Sequence, residues 1–206
     1  MSIISNELFL LNELETKYSS HISYIKDISY NTTGKRDFIE MDFKSIHFDK
    51  VPAFYSDQYE NTQSTSADTL IYNHENDYLY LIEFKESWPR DKSDSSTDIR
   101  LKCYDSIAKL CLFWVNILKK PRKEFFDLKI NYYLITRPKN MTNHPSALAA
   151  LNSTRQVFQL KMLENTVVDQ ANILVTPKGI YKFLSTITGV SDMVYINKDS
   201  TRLTSF

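Results

Sequence analysis

Glycine is scarce in this chain: only 3 of its 206 residues are glycine. Tight turns that depend on glycine must therefore be few. A glycine-rich phosphate loop and a dinucleotide-binding fingerprint both need several glycines at fixed spacing, and neither can be built from this sequence. The scarcity excludes the P-loop and Rossmann classes of nucleotide-binding protein.

An excess of charge of either sign is also lacking, because Lys and Arg total 25 and Asp and Glu total 25. A protein that binds nucleic acid over a wide surface is usually basic, so any contact with a polyanion would have to be a local patch. A neutral chain is still compatible with an enzyme that binds its substrate in a cleft.

Long apolar runs and a cysteine pair suited to a disulfide are missing too. No stretch approaches the roughly 20 apolar residues of a membrane-spanning helix, and the first residues carry acids where a signal peptide needs bases. Cys103 and Cys111 lie in one predicted helix at a separation of roughly 12 Å, too far for a disulfide with each other. We expect a cytoplasmic protein with buried, reduced cysteines and no membrane contact.

The residues that are present are those of a globular protein, with 42% hydrophobic, 13% aromatic and 24% charged side chains. The length suits one domain with a sizeable core. Because no repeat and no linker interrupts the chain, we expect a single domain over residues 1–206.

Alternating helical and strand patterns run along the sequence. Helical spacing predicts helices at 5–18, 98–119, about 146–164 and 180–188. Alternation or short apolar runs predict strands at 22–30, 38–48, 69–72, 78–85, 130–137, 172–176 and 193–197. Residues 31–36 and 73–77 are predicted hairpin turns. The pattern indicates an α/β domain with a mixed central β-sheet flanked by helices.

The strand at 78–85 ends in two opposite charges, Glu83 and Lys85. Leu79 and Leu81 share their face, and the other face is apolar as well, so the strand is expected to be central in the sheet. Charges at the end of such a strand are costly unless they belong to a site. A hairpin turned at 73–77 brings Asp68 opposite Glu83, since each lies five residues from an edge of the turn.

Two carboxylates beside a lysine suit the cleavage of a phosphodiester bond with a divalent metal ion. The carboxylates hold Mg²⁺, which polarises the phosphate and acidifies a bound water. The lysine steadies that water or the developing charge.

These residues resemble the PD-(D/E)xK, or restriction-endonuclease-like, nuclease superfamily. "AD" at 67–68 matches the family's first motif, with Ala67 in place of the proline, and "EFK" at 83–85 matches the second. The family core runs helix, three strands, helix, strand (αβββαβ). It would cover residues 5–137 and leave 138–206 as an elaboration of helix, strand, helix and strand.

The resemblance implies a Mg²⁺- or Mn²⁺-dependent nuclease that acts on nucleic acid, with DNA as the expected substrate and a homodimer as a possible assembly. Asp68, Glu83 and Lys85 would be catalytic. Asp68, Glu83 and the backbone carbonyl of Phe84 would ligate the metal.

The acid-x-Lys pattern alone has little specificity, because it occurs four times. One copy lies on a helix, one at the entry to a strand, and one on a strand whose charges alternate with apolar residues as on a solvated face. Only the copy at 83–85 has an Asp across a hairpin. The other copies are Glu15-Thr16-Lys17, Asp42-Phe43-Lys44 and Asp127-Leu128-Lys129.

Further site residues are predicted from their positions. Glu15 falls on the apolar side of the first helix, where it either faces the site as an additional metal ligand or is locally buried. Arg100 falls on the apolar side of the long helix, where it either reaches the scissile phosphate or pairs locally. Arg90 and Lys92, in the loop after the strand, would contact backbone phosphates.

The polar face of the same long helix is predicted to expose Lys102, Asp105 and Lys109 to solvent.

Two alternatives to the nuclease remain open. The chain is compatible with a catalytically inactive nuclease-fold protein that binds nucleic acid or inhibits a protein partner. It is also compatible with a strand end that reaches water and forms no site.

Overall fold

Five stretches of the chain are described by the computed structural model: residues 4–32, 34–54, 65–85, 94–137 and 158–206. Within them no helix is long and apolar enough to cross a membrane.

Helices and strands are interspersed along the described chain. The first half contains α1 (Asn6–Lys17), β1 (Ile22–Tyr24), α2 (Ile25–Ile28), β2 (Ile39–Met41), β3 (Lys44–His47), β4 (Thr69–Asn73) and β5 (Tyr78–Lys85). The second half contains α3 (Asp94–Leu112), α4 (Arg122–Phe125), β6 (Ile130–Thr136), β7 (Gln170–Leu174), α5 (Pro177–Thr188), β8 (Met193–Ile196) and β9 (Arg202–Leu203). Short 3₁₀ turns cover Ser19–His21, Phe48–Lys50 and Leu160–Leu163, and a π-helical turn, Phe113–Ile117, ends α3.

Six strands form one mixed sheet in the order β1-β3-β4-β5-β6-β7. The pairs from β1 to β5 are antiparallel, and β5, β6 and β7 run parallel. A smaller antiparallel sheet has the order β2-β8-β9. The predicted α/β class with a mixed sheet flanked by helices is confirmed.

Strand β5 lies between β4 and β6 and is covered on both faces. Leu79 and Leu81 pack in a core with α1 and α3, whereas Tyr80 and Ile82 pack in a second core with α2, α5 and the small sheet. Alternate side chains of a strand point to opposite faces, so the double apolar pattern follows from this position.

The β4–β5 hairpin has the predicted register. Asn73 pairs with Tyr78 and Thr69 with Ile82. The turn is made without glycine, because Asp77 takes a left-handed conformation (φ 59°) that Asp tolerates better than most residues. The Asn73 side chain also accepts the backbone N–H of Glu75 at 2.7 Å. Extended by one residue, this register places Asp68 beside Glu83.

The predicted strands at 22–30 and 38–48 are each wrong in part. Residues 25–28 form a helical turn, since Ile25 and Ile28 are both buried one turn apart on the same face. The second segment splits between two sheets: β3 pairs with β1, but β2 pairs with β8 from the far end of the chain. The hairpin at 31–36 therefore does not join two long strands.

The C-terminal predictions are close for most elements. Strand β7 starts two residues earlier than expected, and α5 starts at Pro177 with Thr176 as its N-cap. The helix expected at 146–164 is wrong at its end, where residues 158–164 form turns and a 3₁₀ segment, and the part at 146–157 lies outside the described residues. Strand β9 was not predicted.

Helix α1 begins where its capping residue predicts. The hydroxyl of Ser5 accepts the N–H of Leu8 at 3.3 Å. Glu7 is buried and accepts the backbone N–H of Lys129, just before β6, at 2.9 Å. The first helix is thus tied to the sheet by an acid of its first turn.

Both cysteines are free. Cys103 is buried against the core, and burial raises the pKa of its thiol to about 12, so it behaves as a small apolar residue. Cys111 is only partly buried.

Candidate functional site

Asp68, Glu83 and Lys85 lie together where the central strands of the large sheet end. Strands β4 and β5 are antiparallel, so the residue before β4 lies next to the end of β5. Asp68 and Glu83 therefore meet at the edge where β5 and β6 have their carboxyl ends. In open sheets this edge is where ligands commonly bind.

Glu83 is almost fully buried, with 1% of its surface exposed. The ammonium of Lys102 donates to both of its carboxylate oxygens, at 2.7 Å to Oε1 and 2.8 Å to Oε2. Lys85 Nζ lies 3.1 Å from Oε1, and its side chain is 38% exposed. The Glu83 carboxylate is thus held between two lysines, one of which opens to solvent.

Asp68 faces the same space from β4. Its Oδ2 accepts the backbone N–H of Phe84 at 2.6 Å, and its Oδ1 lies 3.9 Å from Lys102 Nζ. Burial and then the neighbouring Glu83 charge raise the pKa of Asp68 well above its usual range, although Lys102 and the Phe84 N–H act in the opposite direction. One ammonium therefore lies between two carboxylates that repel each other.

The prediction that Lys102 is solvated is wrong, and this residue is the main one that sequence analysis missed. Burial acts to lower its pKa, but Glu83 and Asp68 outweigh burial and raise it. The buried seam of α3 runs along Ile99, Cys103, Ser106 and Leu110. It lies roughly 70° around the helix axis from the apolar side that the sequence predicts. The sequence signal for the observed orientation of α3 is the spacing of seven residues between Ile99, Ser106 and Phe113, which places them on one side of the helix.

Ser106 fixes the position of α3 against the start of β4. Its hydroxyl accepts the backbone N–H of Ala67 at 2.8 Å and donates to the carbonyl of Lys102 at 2.6 Å. Ser106 is fully buried. This small polar residue therefore links the residue before Asp68 to the helical turn that carries Lys102.

Lys109 is also not solvated, contrary to its prediction. Only 1% of its surface is exposed, and its ammonium donates to the carbonyl of Phe48 at 2.6 Å and the hydroxyl of Ser66 at 3.1 Å. It also lies over the Phe48 ring, 4.5 Å from the centroid. Burial lowers its pKa to about 7, partly offset by the charge of Asp49. Lys109 joins the end of β3 to the start of β4.

A third carboxylate, Asp49, lies near these groups just after β3. Its Oδ1 is 3.0 Å from Nε2 of His47, whose buried Nδ1 has no hydrogen-bond partner among the residues that the structure describes. Burial acts to raise the pKa of Asp49, but His47, Lys102 and Lys109 together lower it. Asp49 therefore adds negative charge beside the two lysines of α3.

Two of the remaining predicted residues, Glu15 and Arg100, are not brought into this cluster. Glu15 is half-buried on α1, where burial raises its pKa, and it makes no hydrogen bond or ion pair within the described part of the chain. Arg100 is half-buried, but residues two apart on a helix point about 160° apart, so it lies on the opposite flank of α3 from Lys102. Arg90 and Lys92 lie outside the described residues.

Thr136 is a further polar residue at this edge. It pairs with Lys85 in the parallel register of β5 and β6 and is 1% exposed. Its hydroxyl has no hydrogen-bond partner among the described residues. A polar residue at the end of the neighbouring strand was the sequence signal for it.

The donor set can be tested for a metal ion from these distances. In the five described stretches, no group of three or more His, Cys, Asp and Glu side chains is placed to hold a metal. Two carboxylates do converge on a single cation, because Lys102 Nζ is within 3.9 Å of Asp68 and within 2.8 Å of Glu83. Mg²⁺ is commonly held by one or two carboxylates, with water and substrate phosphate as its other ligands. Asp68 and Glu83 supply the two carboxylates that such an ion would need.

Comparison with protein-family models, curated proteins and solved structures finds no match to this chain.

Proposed function

We propose that this protein is a Mg²⁺-dependent nuclease that hydrolyses phosphodiester bonds in nucleic acid, and that it acts as a DNA endonuclease. The observation that carries the proposal is the convergence of Asp68 and Glu83 on one cation at a sheet edge, with Lys85 beside Glu83. The order of the elements supports it, because α1, β3, β4, β5, α3 and β6 occur in the order of the PD-(D/E)xK core, with β1, α2 and β2 inserted after α1 and α4 inserted after α3.

Each residue has a role in the proposed reaction. Asp68 and Glu83 hold the metal ion together with the backbone carbonyl of Phe84, whose N–H already faces Asp68. When bound, Mg²⁺ polarises the phosphate and acidifies a water molecule. The water oxygen bonds to phosphorus as the phosphorus–oxygen ester bond breaks; the water proton is lost to solvent, and the leaving oxygen takes a proton from solvent. Lys85, the most exposed of these side chains, donates to the negative charge that develops on the phosphate.

The test is a plasmid-nicking assay with Mg²⁺, Mn²⁺ or EDTA. We expect nicking that requires the metal ion and is lost in Asp68→Asn and Glu83→Gln. Lys85→Met should lower the rate by about 100-fold or more, since a donor aimed at developing charge contributes that much.

Asp42→Asn is the matched control, because it removes an exposed carboxylate from a second acid-x-Lys tripeptide. It should nick like the wild type. Equal nicking by wild type and Glu83→Gln would contradict the proposed site. RNA cleavage without DNA cleavage would keep the chemistry and change the substrate.

One observation favours a second candidate, a catalytically inactive nuclease-fold protein that binds nucleic acid or inhibits a protein partner. Both Glu83 oxygens already bond Lys102, so the four charges at the sheet edge neutralise one another without a metal ion. Mn²⁺ titration distinguishes the two candidates, because an inactive site of this kind would bind no metal in either the wild type or the variants.

A further inference from the structure

Lys102 occupies the acceptor positions that a divalent cation needs. An ionised carboxylate has about four lone-pair positions. At Glu83, Lys102 uses one on each oxygen, and the ammonium of Lys85 lies 3.1 Å from Oε1. Among the described groups, two of the four positions are therefore taken by Lys102, and a second ammonium lies against Oε1. A metal ion can gain full access to Glu83 only if a lysine leaves.

The net charge of the cluster also indicates that a lysine must leave before a metal ion binds. With both carboxylates ionised, the two negative charges of Asp68 and Glu83 equal the two positive charges of Lys85 and Lys102, so these four groups sum to zero. A divalent cation added to this cluster raises its charge to +2 in a largely buried space. Such an excess is costly where the effective dielectric constant is low.

The position of Lys102 on α3 allows its side chain to leave while its backbone stays. Its carbonyl is held by Ser106, but the four-carbon stem is flexible and the side chain is 20% exposed. Asp49 already interacts electrostatically with Lys102 and provides negative charge close by. Lys85 is more exposed than Lys102 and makes one contact with Glu83 rather than two, so Lys102 is the stronger competitor.

We propose that Lys102 is an internal counter-cation that competes with the divalent metal ion for Glu83 and Asp68, so that metal binding requires its displacement. The proposal rests on the proposed function, because it assigns regulation to the same metal site. Lys102 is a positioning residue here: it neutralises and holds the carboxylates until a metal ion takes its place.

The experiment is calorimetric titration of Mn²⁺ alone into the full chain. Lys102→Met removes the competing charge and should bind Mn²⁺ at least about tenfold more tightly than the wild type. Lys102→Arg keeps a cation and should bind no more tightly than the wild type. Glu83→Gln should lose binding in either background.

Lys182→Met is the matched control. Lys182 is exposed on α5, which packs on the other face of the large sheet, and its loss changes the total charge by the same amount. If it tightened Mn²⁺ binding as much as Lys102→Met does, the effect would be one of overall charge and the proposal would be overturned.

Loss of Lys102 leaves Glu83 with one lysine, so Lys102→Met needs a check that it folds. Circular dichroism and thermal unfolding supply it, and Lys102→Gln is the second variant, because its amide still donates one hydrogen bond. A Mn²⁺-dependent rise in Tm that is larger in either variant than in the wild type supports the proposal, since a ligand stabilises the state that it binds.

The outcomes separate this proposal from the function. If the wild type binds Mn²⁺ and Lys102→Met binds it no more tightly, the proposed competition is wrong. The proposed nuclease function is not affected by that result. Tighter binding in Lys102→Met, with or without measurable binding in the wild type, supports the competition. Absence of binding in every variant overturns both.

Discussion

The buried ammonium of Lys109 should make the stability of this protein depend on pH in a way that one substitution removes. Its pKa is about 7 in the folded protein against an ordinary value of 10.5. The unfolded chain therefore binds a proton that the folded chain holds weakly. Above about pH 10.5 the Lys109 amine is neutral in both states and titration costs no stability. As the pH falls from about 10.5 to about 7, protonation of the unfolded chain progressively lowers the free energy of unfolding.

The magnitude follows from this difference. Between the two pKa values stability changes by about 1.4 kcal/mol per pH unit. From about pH 7 to about pH 9 the free energy of unfolding of the wild type should rise by about 2 kcal/mol through Lys109, because the group is half-titrated at the lower pH. Lys109→Met lacks this titration and should lack the rise.

The assay is urea unfolding followed by circular dichroism for both proteins at both pH values. The quantity of interest is the pH effect in the wild type minus that in Lys109→Met. The Cys103 thiol, whose pKa is raised to about 12, acts in the opposite direction at high pH, but it does so in both proteins and cancels. Lys182→Met, from an exposed position, should behave as the wild type does. Equal pH dependence in wild type and Lys109→Met would refute the reasoning.

Two further substitutions test how the site is positioned. Ser106→Ala should lower the free energy of unfolding by about 1–3 kcal/mol, because the backbone N–H of Ala67 loses its acceptor. The control Ser185→Ala, at an exposed hydroxyl on α5, should change the free energy of unfolding by less than about 0.5 kcal/mol. Glu7→Ala should cost about 2 kcal/mol through the lost bond to the N–H of Lys129, and Glu7→Gln, which keeps an acceptor, should cost less. Urea unfolding measures all four, and equal losses within either pair would contradict the assigned hydrogen bonds.

The same substitutions are also expected to differ in their effect on Mn²⁺ affinity. Ser106 and Lys109 both hold the segment that begins β4, so their loss should weaken Mn²⁺ binding only as far as it displaces Asp68. Lys102 acts on the carboxylates directly, so its loss should change both Mn²⁺ affinity and stability, because the buried Glu83 would keep only Lys85 as a partner.

The sequence by itself determined the hairpin that carries the site. The register of β4 and β5 depends on a local turn and on alternation with a period of two, both of which are readable within residues 68–85. The apolar pattern on both faces likewise identified β5 as a central strand. The juxtaposition of Asp68 and Glu83 followed from these local features.

Only the tertiary structure decided which other groups join them. Lys102 and Lys109 face inward because the small, hydrogen-bonding Ser106 allows α3 to approach β4, and a helical wheel that counts serine as polar turns the helix the wrong way. Strand β2 pairs with β8, more than 150 residues away, which no local pattern encodes. Local periodicity sets the shape of each element, but its rotation and its distant partners depend on which side chains pack most closely against the rest of the chain.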